Sequence, residues 1–143
     1  MTIGEAVEHY VDSLSGANAD DAWHALVELG SPALPLVIAA FHTTSHLDTQ
    51  VSLVRVIAEY RTAESVPFLA GLLSHGEPAI WKSAIDALVT VGYGAAVEAL
   101  LTARAAAPQA RCEWIEEAIP QAIASLTEGM SRRPRPLGRQ WTG

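Results

Sequence analysis

The sequence contains a single cysteine, Cys112, among its 143 residues. One cysteine cannot form an intrachain disulfide, and it cannot supply the several thiolates of a structural zinc site. Long apolar runs are also missing, because the longest one, residues 33–41, contains Pro35 and falls far short of the roughly 20 residues that span a bilayer. The N-terminus lacks the basic and apolar regions of a secretory signal. We therefore expect a soluble cytoplasmic protein that does not interact with membranes.

Aromatic residues are scarce, and so are basic residues over most of the chain. Aromatics make up 6% of a sequence that is 50% hydrophobic, and much of the apolar set is alanine, which favours closely packed helices over sheets. Residues 1–130 contain 5 basic and 16 acidic residues, a net charge of −11, whereas residues 131–143 contain 4 basic residues and no acidic one. Because residues 1–130 are so acidic, they do not attract phosphate backbones, and nucleic acid is not expected as a partner.

The stretch 77–104 has the pattern of two helices joined by a turn. Gly92 and Gly94 favour the backbone conformation that ends a helix, and apolar residues recur at helical spacing on either side of them. Neither helix can cover the apolar stripe of the other completely, so the hairpin needs neighbouring hairpins. The first stripe consists of Trp81, Ala84, Ile85, Leu88 and Val91.

The same pattern occurs three times at a spacing of 31 residues. Segments 25–30, 56–61 and 87–92 align, so that Gly30, Arg61 and Gly92 occupy the same place. A further helix is predicted to begin at Ile3, after Thr2 and Glu5 at capping-box spacing, and a helical pattern over residues 112–126 closes the series. The sequence therefore predicts an all-α domain over residues 1–130 with three hairpins between two capping helices, followed by a basic tail over residues 131–143.

The segments 25–41, 56–73 and 84–101 resemble short HEAT-like repeats of roughly 30 residues, such as those of bacterial scaffold proteins and phycobilisome lyases. The resemblance implies a right-handed α-solenoid in which the second helices line the inner surface. Leu36, Phe68 and Ala99 would then form a partner-binding row, with Gly71 and Thr102 as small neighbours. The alternative is that these side chains pack between adjacent hairpins.

Four residues could provide a metal site, namely His42, His46, Asp48 and His75. Three imidazoles and a carboxylate suffice for zinc, but the pair at four-residue spacing lies in a Thr- and Ser-rich segment that is predicted to be a linker. Loop histidines and a helix cap at Asp48 are the favoured interpretation. We expect neither a bound metal nor another cofactor.

Cys112 is the only candidate for a thiolate nucleophile. The neighbouring Arg111 could lower the pKa of the thiol, whereas Glu113, Glu116 and Glu117 would oppose ionisation. A packing thiol beside a solvated acidic face is the favoured interpretation, and no catalytic residue is predicted.

These patterns favour a non-enzymatic protein-interaction module, either monomeric or a weak homodimer. The acidic charge suits an inhibitor of a basic protein, for instance an immunity protein that covers a nuclease toxin. The alternative, which the lyase resemblance implies, is a subunit or accessory of an enzyme of that type. In the tail, Arg132, Arg133 and Arg135 are expected to lie along an acidic surface and Trp141 to occupy an apolar gap, with a frayed tail as the alternative.

Overall fold

The computed structural model describes the backbone of residues 2–132 and the side chains of residues 2–126. This part of the chain is an all-α solenoid without a strand, as predicted. Short 3-10 turns, Ser31–Ala33 and Ala63–Ser65, precede the third and fifth helices. The eight α-helices are α1 (Ile3–Ser13), α2 (Ala19–Leu29), α3 (Leu34–Thr43), α4 (Leu47–Tyr60), α5 (Val66–Leu72), α6 (Pro78–Val91), α7 (Gly94–Ala106) and α8 (Gln109–Arg132).

The predicted tail lies almost wholly outside the described residues. Helix α8 continues to Arg132, so it extends past the predicted helical pattern and two residues into the segment 131–143. The predicted anchoring residues Arg133, Arg135 and Trp141 lie outside the described part of the chain, and so does the side chain of Arg132.

The helices form two layers. Helices α2, α4, α6 and α8 pack side by side in the first layer, and α1, α3, α5 and α7 form the second. Each helix of the second layer packs against the first-layer helix that follows it in the chain, α1 on α2 and α3 on α4, and so on to α7 on α8. Helix α1 therefore occupies the position of a second-layer helix at the start of the stack.

The core is centred on α4 and α6, which have the most extensive contact in the structure. Leu53 and Ile57 of α4 and Leu88 of α6 are fully shielded from solvent. Burying one such side chain stabilises a fold by roughly 1.5–3 kcal/mol. The whole predicted stripe of α6 is buried, since Trp81, the least buried member, is only 7% exposed.

The 31-residue spacing reappears in the backbone conformation. Among the described residues, positive φ angles occur at Gly30 (76°), Arg61 (49°) and Gly92 (75°), the three aligned positions. Gly94, predicted to help end α6, is instead the first residue of α7. Arg61 adopts the left-handed conformation although its Cβ is then close to the following carbonyl oxygen, a strain that glycine avoids.

Of the two predicted helix caps, at Thr2 and at Asp48, only the first forms. Thr2 and Glu5 make the predicted capping box, with the Glu5 amide donating to Thr2 Oγ1 over 3.1 Å. Asn18 occupies the N-cap of α2, but its side chain makes no cap hydrogen bond. Asp48 lies in the first turn of α4, whose N-cap is His46.

A tyrosine joins two helices of the first layer. The Tyr60 hydroxyl donates a 2.7 Å hydrogen bond to the carbonyl oxygen of Leu26 in α2. That oxygen needs a partner, because the amide of Gly30, which would ordinarily satisfy it, donates to Val27 instead. Burial raises the pKa of Tyr60 to about 12, since an apolar environment disfavours the phenolate.

Replacing Arg61 by glycine is expected to raise the free energy of unfolding by about 0.5–1 kcal/mol, because the left-handed strain disappears. The matched control is Arg61→Ala, which keeps the Cβ and removes the exposed 4.0 Å ion pair with Glu59. The control should change stability by less than about 0.5 kcal/mol, as expected for a surface site. Urea unfolding measures both variants, and equal stabilities for glycine and alanine at position 61 would show that the turn is unstrained.

Tyr60→Phe is expected to lower the free energy of unfolding by about 1 kcal/mol at pH 7, because the Leu26 carbonyl loses its partner. Tyr10→Phe is the control, since the Tyr10 hydroxyl has no hydrogen bond to the described residues. The pKa of Tyr60 is raised in the folded state, from 10.0 to about 12. Its stabilisation is therefore fully present below pH 10 and is lost as the pH rises through 12. A stability difference between wild type and Tyr60→Phe that grew above pH 10 would contradict this assignment.

Candidate protein-binding groove

An apolar cavity with a volume of about 460 Å³ lies between α5 and α7. It exists because α5 has only 7 residues whereas α7 has 13, so the later turns of α7 extend past the end of α5. Small side chains predominate in its lining, which consists of Ala70, Leu73, Ser74, Ala95, Glu98, Ala99, Thr102, Ala103, Ala106, Ala107, Pro108 and Arg111. We call this cavity the α5–α7 groove.

One face of α7 forms the floor of the groove. Ala95, Ala99, Thr102 and Ala106 are spaced at four, three and four residues, which places them in one line along the helix. Side chains this small allow the backbone of another segment to approach closely. The floor thus favours an extended or helical segment with an apolar face over a small, polar ligand.

Two of the five predicted partner-binding residues, Ala99 and Thr102, line the groove. Gly71 is exposed on α5 next to the groove residue Ala70, and a Cβ built on it would meet no atom within 4 Å. Leu36 and Phe68 are half-buried and pack against the core, away from the groove lining. The α5–α7 groove therefore includes only part of the predicted row.

Phe68 connects the second-layer helices α3 and α5. Its ring lies edge-on to the ring of Phe41 at 5.3 Å and to that of His42 at 5.7 Å. Edge-to-face aromatic pairs at this distance are favourable packing contacts. The alternative that the sequence left open, packing between hairpins, thus describes Phe68.

Arg111 closes one end of the groove, a role that its sequence position did not indicate. Its Nη1 donates a 2.9 Å hydrogen bond to the carbonyl oxygen of Leu73 at the end of α5, and its guanidinium lies 4.8 Å from the centre of the Trp81 ring. A cation at a helix C-terminus satisfies a free carbonyl and interacts favourably with the helix dipole. Arg111 therefore fixes α8 to the end of α5.

Cys112 is half-buried, and its thiol contacts the carbonyl oxygen of Arg104 at 3.7 Å and Glu116 Oε1 at 3.6 Å. Burial, followed by the hydrogen bond to Glu116 and the charge of that carboxylate, raises the pKa of the Cys112 thiol. A raised pKa lowers the thiolate fraction near neutral pH, so the surroundings do not activate this residue as a nucleophile.

The histidines considered as metal ligands have separate positions. His42 lies in the last turn of α3, not in a linker as predicted, while His46 is the N-cap of α4. His75 Nδ1 accepts a 3.0 Å hydrogen bond from the amide of Glu77. Over residues 2–126, no three His, Cys, Asp or Glu side chains come together as a metal site requires.

A second surface feature lies at the start of α6 and α8. The ring of Trp114, which is 44% exposed, lies edge-on to that of Trp81 at 6.1 Å. The Lys82 ammonium is 4.5 Å from the centre of the Trp114 ring. Glu113, Glu116 and Glu117 line a shallow cleft with Trp114. We call this feature the Trp114 face.

Taken singly, none of the described helices is both long and apolar enough to cross a bilayer. Helix α2 and the segment 31–43 meet the criterion only as a pair, and that pair is bent by 100°.

Comparison with known proteins agrees with the architecture. A family model of HEAT repeats matches residues 34–120, which is more than half of the chain and includes both helices of the groove. No curated protein matches. The chain therefore belongs to the HEAT repeat family, in agreement with its repeat spacing and its two helix layers.

Proposed function

We propose that this chain is a protein-interaction module and that its α5–α7 groove binds an apolar segment of another protein. Membership of the HEAT repeat family supports a scaffold role, because stacked helix pairs present extended surfaces to partners. The observation that carries the proposal is the groove floor on α7. It is a line of small side chains that no other described helix covers completely.

The charge of the chain suggests the chemistry of the partner. Residues 1–130 carry a net charge of −11, and among the described side chains only Glu59 and Arg61 form an ion pair. Unpaired surface carboxylates attract a basic protein at long range and accelerate its association. We therefore propose a basic partner, and an inhibitor or immunity protein of such a partner is the corresponding biological role.

Photo-crosslinking in the cell that makes the protein tests this proposal. A photoreactive amino acid at Thr102, which is exposed in the groove, is expected to capture the partner. The same amino acid at Arg55, exposed on the first-layer helix α4, is the positional control and should capture none of that protein. Equal capture of one protein at both positions would show that the groove is not the binding surface.

Substitutions then measure how much the groove contributes. Thr102→Arg places a charge in the apolar floor, and it is expected to weaken binding of the captured protein at least about tenfold, equivalent to about 1.4 kcal/mol. Ala39→Arg is the matched control, because Ala39 is exposed at the corresponding place of α3 and lies outside the groove. Melting curves confirm that both variants fold. Unchanged affinity of the Thr102 variant would overturn the proposal.

A further inference from the structure

The outward side of α8 carries a continuous exposed stripe. Trp114, Glu117, Gln121 and Ala124 follow one another at three- and four-residue spacing, and all four are exposed. Helix α8 is the last helix of the first layer and packs mainly against α6 and α7, so this stripe faces away from the stack. An exposed tryptophan on such a stripe leaves apolar area in water that a further segment could cover.

The Trp114 face is acidic, and its carboxylates form no ion pair with the side chains of residues 2–126. Glu113 and Glu117 form no ion pair with any described side chain, while Glu116 accepts the weak hydrogen bond from Cys112. The two nearby cations have other contacts, because Lys82 lies over the rings of Trp81 and Trp114 and Arg111 binds the end of α5. The chemistry of this face therefore fits a segment with a guanidinium group and an aromatic ring.

We propose that the occupant of the Trp114 face is the C-terminal segment of the same chain, residues 133–143. This segment begins where α8 ends, and it contains Arg133, Arg135 and Arg139 together with Trp141. Because it is tethered to α8, its effective concentration at the face exceeds that of a free basic segment.

Distances along the chain give the register. Glu117 lies about 22 Å before Arg132 along the axis of α8, and Trp114 lies about 27 Å before it, at the helical rise of roughly 1.5 Å per residue. An extended proline-rich segment advances about 3.1 Å per residue, so from Arg132 it reaches about 22 Å at Arg139 and about 28 Å at Trp141. Because the reversal at the end of α8 itself takes about two residues, Arg139 comes level with Gln121 and Trp141 comes level with Glu117, within about one helical turn of Trp114.

The same distances assign the roles of the residues. Arg133 and Arg135 are too close to the end of α8 to reach the Trp114 face, so they would lie along the second half of α8. Exposed ion pairs are individually weak and are screened by salt, so contact between Trp141 and Trp114 provides the main attachment. A basic partner that uses this face would first have to displace the segment.

Paramagnetic relaxation in the full chain tests the proposal. A nitroxide is attached to a cysteine at position 140 (Gln140→Cys) in a Cys112→Ser background. The expected result is loss of the Trp114 indole N–H resonance, with recovery after the nitroxide is reduced. Trp23, on α2 at the other end of the stack, serves as the internal control and should keep its resonance. An undiminished Trp114 resonance in the oxidised sample would overturn the proposal.

Charge variants and mixing complete the test. Glu113→Gln with Glu117→Gln should restore the Trp114 resonance only in part, and so should about 1 M salt, where the Debye length is about 3 Å, because contact with Trp141 remains. The matched control, Asp20→Asn with Asp21→Asn, removes two exposed charges from α2 and should leave the resonance broadened. A mixture of nitroxide-labelled and isotope-labelled chains separates the two copies. Broadening in that mixture would assign the face to a second copy and contradict docking within one chain. The outcome is independent of whether the α5–α7 groove binds a partner.

Discussion

The fold depends on the burial of α4 and α6 between neighbours on several sides. Helix α4 buries six residues and α6 buries seven, among them Leu53, Ile57, Ile85 and Leu88. The buried residues of α6 are spread around much of the helix, so a single partner helix cannot cover them. Helix α6 accordingly packs against α4, α5, α7 and α8. Helices α4 and α6 therefore need neighbouring helices on both sides, whereas the outer helices bury fewer residues.

The open surfaces follow from the same arrangement. Helix α7 buries only Ala96 and Leu100, and its line of small residues extends beyond the short α5. Helix α8 has a neighbour on one side only, because no further hairpin follows it among the described residues. The groove and the Trp114 face are therefore two different consequences of ending a two-layer stack. One comes from unequal helix lengths, and the other comes from the last helix.

The sequence predicted those features that depend on local pattern. The buried stripe of α6, the capping box at Thr2 and the 31-residue spacing all follow from periodicity and from residues with strong positional preferences. Arg61 broke the expected glycine pattern, yet it has the same left-handed conformation as Gly30 and Gly92, because the surrounding helices fix the turn.

The candidate sites were only partly predictable, for a physical reason. Periodicity identifies the apolar face of a helix, but the helix that covers this face depends on lengths and packing across the layers. Ala99 and Thr102 line the same groove, whereas Phe68 packs across α3 and α5. The contacts of Arg111 with Leu73 and of Lys82 with Trp114 join residues that are far apart in the chain or lie on different helices, and no local pattern marks them.

Native-state hydrogen exchange tests the central claim, that α4 and α6 hold the stack together, most directly. The account predicts that amides in α4 and α6 exchange slowest, near the rate set by global unfolding, and that those of α1 and α7 exchange faster through local opening. If the amides of α1 or α7 exchanged as slowly as those of α6, the account would be contradicted, because stability would then be spread evenly over the stack.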